Sequence, residues 1–258
     1  MHVGTLGKVS RHFALRSMLC LRREVREVLR NVQADFGGGC SFSKAFLIAE
    51  LIRRYDLRTT VDIGVYRGRS LFPQAVAHRS YTHGVVYGID PWSPLEARQS
   101  ENLALKRELE AWLEQVDFQA IRQEVATFVD AWHLQDHCVL LAQTSKDAAT
   151  HFWRNGTYFD LVHIDGNHDS KKVLDDVRLY VPRLRDGGFV ILDDVSWESV
   201  RPAYEELRIT LPLLCVRRDS ANDYAVFWKG ASRLGAKIRQ CLLLWLSGWG
   251  KASGTLHG

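Results

Sequence analysis

Short apolar runs alternate with longer amphipathic stretches along most of the chain. Runs at 60–64, 84–90, 138–142, 159–165 and 188–193 are brief and rich in Val, Ile and Leu, which predicts strands buried on both faces. Between them the apolar positions recur with helical spacing, which predicts helices over 69–79, about 95–131, 145–153, 170–183 and 198–211. Two further strands, about 213–218 and 223–228, close the pattern. Upstream, Leu15, Met18, Leu19, Leu21, Val25 and Val28-Leu29 fall roughly on one side of a basic helix over 11–33. Gly37-Gly38-Gly39 breaks that helix, and Ser41 or Ser43 can cap the next, about 43–56. Strict β-α alternation of this kind predicts an α/β fold, a Rossmann-like doubly wound and mostly parallel sheet. The stretch 95–131 is longer than a crossover needs and is expected to cap the strand ends.

Composition changes little in that picture. At 258 residues, 46% hydrophobic and 25% charged, the chain is that of an ordered α/β protein. Five scattered cysteines (Cys20, Cys40, Cys138, Cys215, Cys241) form no CxxC, which argues against a disulfide framework and fits a reducing, cytoplasmic setting. The N-terminal apolar run is interrupted by Arg16, Arg22 and Arg23, unlike a signal peptide, and no stretch is apolar enough to span a membrane. Charge is informative because it is uneven. Residues 1–30 carry a balance of +5, residues 229–258 another +5, and the remaining 198 residues −6. The basicity belongs to the ends, so it is not the footprint of a nucleic-acid partner. The tail 231–258 turns from basic to apolar (Lys237, Arg239, then Leu242 to Leu246 and Trp249). Docking on the domain or across a homodimer is the favoured reading; peripheral membrane contact is the other.

Chemistry enters at the strand ends. Asp62, Asp90, Asp165 and the pair Asp193-Asp194 each close or follow an apolar run. In open α/β sheets ligands bind outside the carboxyl ends of strands, so these acids are expected to border a site. The first strand continues as Asp62-Ile63-Gly64-Val65-Tyr66-Arg67-Gly68-Arg69-Ser70. Gly64 and Gly68 permit a tight turn and close approach of a ligand. The third glycine of a dinucleotide loop is missing, and Asp62 would repel a pyrophosphate while tolerating an ammonium or sulfonium. Arg67 and Arg69 pull the other way and could hold a phosphate or carboxylate. Asp90 follows the second strand 22 residues after Gly68, where an acid can accept the hydroxyls of a ribose, and Trp92 beside it offers an aromatic face. Gln143-Thr144-Ser145-Lys146 makes a polar loop suited to an adenine edge. Asp165 and Asp193-Asp194 should converge at neighbouring strand ends. Two carboxylates about 4 Å apart repel by roughly 4 kcal/mol at an effective dielectric near 20, so such a site needs a cation or a proton.

The order D-x-G-x-x-x-G, then Asp, then T-S, then I-D-G resembles class I S-adenosylmethionine (SAM)-dependent methyltransferases over about residues 41–230. Phe159 to His168 and Leu184 to Asp194 are the most specific part, and they look like the metal-dependent catechol and sugar O-methyltransferases. The resemblance implies a seven-stranded sheet whose last pair is partly antiparallel, preceded by a helical extension (1–40) and followed by the tail (231–258). It implies that Asp62, Gly64, Tyr66, Gly68, Ser70, Asp90, Trp92, Ser145, Lys146 and Asp165 border SAM. Of these, Gly64 and Gly68 would line the methionine portion, Asp90 the ribose and Ser145-Lys146 the adenine. It also implies Mg²⁺ on Asp165, Asp193 and Asp194, with a small-molecule hydroxyl as acceptor. His168 stands where the catechol relatives carry a lysine base, so Asp165 and His168 are the expected catalytic pair. Asn167 holds the position where sugar-modifying relatives favour an acid.

Two other readings are open at this point. One is a different enzyme on the same scaffold, either a nicotinamide oxidoreductase or a hydroxylase-like protein using the carboxylates for iron. The other is a non-catalytic cofactor-binding module. His133 and His137, four apart, invite a zinc site but have no third ligand in sequence. No nucleophile elbow surrounds Ser145.

Overall fold

The computed structural model describes residues 4–36, 39–101, 106–218 and 223–230. The tail 231–258 and its expected roles lie outside them. Seven strands form one sheet: β1 (Thr59–Ile63), β2 (Val85–Ile89), β3 (Cys138–Leu141), β4 (Phe159–Ile164), β5 (Leu184–Asp193), β6 (Leu213–Arg218) and β7 (Asp223–Trp228). Their order is β3-β2-β1-β4-β5-β7-β6, parallel from β3 through β5, with β7 antiparallel to both its neighbours. The order reverses direction between β1 and β4. The loops leaving their carboxyl ends therefore run to opposite faces there, which is where a doubly wound sheet opens its ligand crevice.

The helices are α1 (Gly4–Asn31), α2 (Phe42–Tyr55), α3 (Leu71–Ala77), α4 (Pro94–Ala97), α5 (Lys106–Gln115), α6 (Phe118–Ala131), α7 (Ser145–Arg154), α8 (Ser170–Tyr180) and α9 (Arg201–Thr210). One sheet face packs Leu161, Phe189, Ile191 and Val226 against α1 and α2. The other packs Val61, Val162, Ile164, Val190 and Leu192 against α7, α8 and α9. Side chains alternate across a strand, so consecutive residues of β4 serve opposite layers.

The single helix expected over 95–131 is in fact α4, α5 and α6. Asp117 ends one and starts another, because its carboxylate accepts from the N–H groups of Gln119 and Ala120 at 3.0 and 2.9 Å. The helix after β1 is likewise shorter than expected and ends in a π-helical turn, His78–Thr82. The one after β4 closes in a 3₁₀ turn at Val181–Arg183, where Pro182 cannot continue an α-helix.

Candidate active site

A cavity of about 690 Å³ opens at the reversal point. That size suits a cofactor-sized ligand. Backbone builds its floor. Gly64 (φ +89°) donates to the Ile89 carbonyl at 2.9 Å, while Asp165 N–H donates to Ile63 at 2.9 Å. A Cβ on Gly64 would collide with the Asp165 carbonyl, so only glycine lets the β1 and β4 ends pass this closely. Gly68 (φ +84°) lies over the Phe72 ring in the same way.

Asp90 holds the loop above that floor. Its carboxylate accepts from Tyr66 N–H at 2.8 Å and from Trp92 N–H at 2.7 Å. Burial raises its pKa above the ordinary aspartate value, against the pull of those backbone donors. Gly64, Tyr66, Ser70, Asp90, Ser145, Lys146 and Asp165 all line the cavity, whereas Gly68, packed over the Phe72 ring, does not. Ser145 Oγ donates to Asp176 at 2.5 Å, and burial pushes Asp176 up to about 7 despite that bond.

Several expected residues sit elsewhere. Asp62 is fully buried on the α2 side of β1, 2.5 Å from His163 Nδ1, and does not border the cavity. Trp92 is a core residue, 1% exposed, with its indole N–H on the Tyr66 carbonyl at 2.9 Å. Its φ of +42° turns the ring inward, beneath the loop. Trp197, three residues past Asp194, does reach the cavity wall and packs 4.8 Å from the His168 ring. Arg67 and Arg69 line the cavity but are tied to groups of the protein itself. Arg67 pairs with Asp35 at 2.8 Å and with Glu124, while Arg69 donates to the carbonyls of Leu29, Val32 and Cys40. They tie the N-terminal segment to the site. Phe36, Leu109, Trp112 and Phe118 line the cavity from that segment and from α5 and α6.

The carboxylate cluster differs most from expectation. Asp165 and Asp193 do converge, but Lys44 of α2 lies between them. Its Nζ is 3.0 Å from Asp165 Oδ2 and in direct contact with Asp193 Oδ2, and its side chain is 0% exposed. Asp193 is therefore buried on a lysine and is not on the cavity wall. His163 Nε2 approaches the other Asp193 oxygen at 3.3 Å. On the cavity side His168 Nε2 is 2.9 Å from Asp194 and 3.7 Å from Asp165. The sequence Asp62–His163–Asp193–Lys44–Asp165–His168–Asp194 thus alternates acid and base through the sheet edge.

These neighbours set the protonation states. Burial works against a charge on His168, but hydrogen bonds and charges from Asp165 and Asp194 outweigh it and push its pKa up to about 10. It is not the near-neutral group its residue type alone suggested. His163 is raised to about 9, Asp62 and Asp193 outweighing burial and Lys44. Burial also opposes charge on Asp165, yet Lys44 and His168 hold it well below the usual carboxylate range.

The arrangement bears on Mg²⁺. Asp165, His168 and Asp194 have donor atoms within 4.8 Å of one another, as do His163, Asp165 and Asp193. Mg²⁺ demands near-octahedral oxygen ligands at about 2.0–2.1 Å. Asp165, Asp193 and Asp194 each already face a basic side chain, so the donor set as arranged does not fit the ion. His133 and His137 form no metal group among the described residues; His137 Nδ1 lies 2.8 Å from the Gly84 carbonyl.

Lys44 and His163 carry no motif. The one signal for Lys44 is its place three residues after the helix cap Ser41, in a first turn where the helix dipole favours an acid. Both neighbours of His163 are apolar, and its pairing opposite Asp62 is visible only in the strand register.

The fold is the Rossmann-like fold of methyltransferases. A family model described as a methyltransferase domain matches residues 61–195, and the chain belongs to that family. Among solved structures, it is similar to the O-methyltransferase NovP (15% identity, TM-score 0.59, covering 84% of this chain and 99% of that one). It is also similar to the O-methyltransferase TomG from Streptomyces achromogenes, involved in tomaymycin synthesis and bound to SAM (14%, 0.57, 78% and 92%). A third is an O-methyltransferase from Bacillus cereus in complex with SAH (S-adenosylhomocysteine; 15%, 0.56, 81% and 91%). At these identities the likeness is one of fold. Comparison with curated proteins finds no match.

Proposed function

We propose that this enzyme transfers the methyl group of SAM to a hydroxyl of a small molecule or sugar. One observation supports this most. A single cavity joins the Gly64–Asp90–Ser145 loops to Asp165, His168 and Asp194, so a cofactor and a proton-handling group share one space.

SAM, when bound, supplies an electrophilic methyl carbon on a positively charged sulfur. Asp90 has lone pairs beyond its two backbone bonds with which to accept from the ribose hydroxyls, and the bare Gly64 turn lets the methionine portion approach the backbone. Ser145 and Lys146 border the adenine. The acceptor oxygen forms its bond to carbon as the carbon–sulfur bond breaks and its electron pair stays on sulfur. His168 is our candidate for the hydroxyl proton in its neutral form; Asp165 and Asp194 favour the imidazolium, so the reaction should speed up as pH rises toward about 10. Phe36, Trp112 and Trp197 give the cavity an apolar wall against which the two reactants are positioned, and that positioning is the main contribution. The metal assistance implied by the family branch is not assigned a step, since its donor set does not fit. Four cysteines among the described residues are free thiols, and no described helix is long and apolar enough to cross a membrane; both support a cytoplasmic enzyme.

Calorimetric titration with SAH, with NAD⁺ as control, tests the proposal. Binding of SAH, its loss in Asp90→Ala and no heat with NAD⁺ are expected. Absence of SAH binding by the intact protein would overturn the proposal and favour an oxidoreductase or a scaffold.

A further inference from the structure

We propose that Lys44 is the resident cation of this site, standing between Asp165 and Asp193 where a divalent metal would otherwise be required, and that the protein therefore binds no such metal there. The inference rests on the methyltransferase reading for what the cavity does, but not for what neutralises the carboxylates.

Three observations carry it. First, Lys44 contacts both acids at once, at 3.0 Å from Asp165 and directly against Asp193, with its side chain fully buried. A compact ammonium with no exposure has exchanged all of its water for these oxygens, which is tolerable only when the charges are paired. Second, the lysine is fixed at its base. It lies in the first turn of α2, between the cap Ser41 and a run of buried residues including Ala45, Ile48 and Ile52. A metal ligated by the same oxygens would stand almost upon the ammonium. Third, the acids that remain are compensated as well. His163 approaches Asp193 at 3.3 Å and His168 approaches Asp194 at 2.9 Å. The repulsion that made a cation necessary is thus relieved by side chains of the chain itself.

Lys44 would act as a positioning residue. By pinning Asp165 Oδ2 it leaves Oδ1 toward His168, 3.7 Å away, and so fixes which face of that carboxylate meets the cavity. Nothing here requires the lysine to touch substrate.

Titration of the full, metal-stripped chain with Mn²⁺, followed by the electron paramagnetic resonance signal of the free ion, tests this directly. Wild type should leave the free signal as in buffer. Lys44→Met keeps the length of the side chain and removes its charge, and should bind one Mn²⁺ per chain roughly a hundredfold tighter than wild type. One tightly bound ion in wild type overturns the proposal, as does a folded Lys44→Met that binds no more than wild type. Should that variant fail to fold, the wild-type titration decides alone. SAH binding is measured on the same samples. Its loss would count against the methyltransferase reading, while the Mn²⁺ result would still decide what neutralises the acids.

Discussion

Asp176 shows how one buried carboxyl shapes stability. Burial raises its pKa to about 7, the Ser145 hydroxyl opposing the shift. The unfolded chain releases this proton near the ordinary aspartate value of about 3.9, while the folded chain keeps it until about 7. Folding is therefore unpenalised at low pH and loses stability as pH rises between those values, by up to about 4 kcal/mol. Asp176→Asn keeps an acceptor for Ser145 and removes the ionisation. Urea unfolding should find it more stable than wild type at pH 8, with the gap closing toward pH 4. An equal gap at both would mean that the carboxyl does not ionise in place. At the same scale, Asp62 and Trp92 explain two failed expectations. Both occupy motif positions, yet each side chain turns into the interior, one onto His163 and the other under the Tyr66 loop.

At the scale of elements, the π-helical turn after α3 is held by a neutral histidine. His78 is fully buried between Thr60 of β1 at 3.0 Å and Thr82 at 2.8 Å, one able to donate and the other to accept. Burial, reinforced by His137, lowers its pKa to about 3. Above about 6.5 neither folded nor unfolded chain holds that proton. As pH falls from 6.5 toward 3 the unfolded chain alone takes it up, so stability drops across that window. Equilibrium unfolding at pH 7 and at pH 4.5 should show the drop in wild type and a smaller one in His78→Gln. An identical pH slope in the variant would assign the acid sensitivity elsewhere. The alternation of elements was legible because hydrophobic periodicity is local. The division of 95–131 was less so, since Asp117 reads equally as an exposed helix residue and as a cap.

At the scale of the molecule, the N-terminal helix belongs to the core. Leu21, Val25 and Val28 are completely buried, and Arg69 reaches from the loop after β1 to the carbonyls of Leu29 and Val32. Burial of three such side chains contributes roughly 5–9 kcal/mol, close to the whole stability of a typical domain. A chain lacking residues 1–31 should show no cooperative transition in calorimetry. A sharp transition near that of the full chain would make α1 an appendage. Asp35, just after α1, pairs with Arg67 on the cavity wall.

Sequence by itself determined the layering, the parallel sheet with strands ending in acids and the glycine turn. These follow from local periodicity and from glycines and acids at strand ends, which any fold of this pattern brings to one edge. Only tertiary structure decided which of those acids face the cavity and what neutralises them. Lys44 lies 121 residues from Asp165 and 149 from Asp193, and His163 meets Asp62 across 101. Charge compensation in a buried site depends on distances of a few ångströms between remote segments, and no spacing along the chain encodes them.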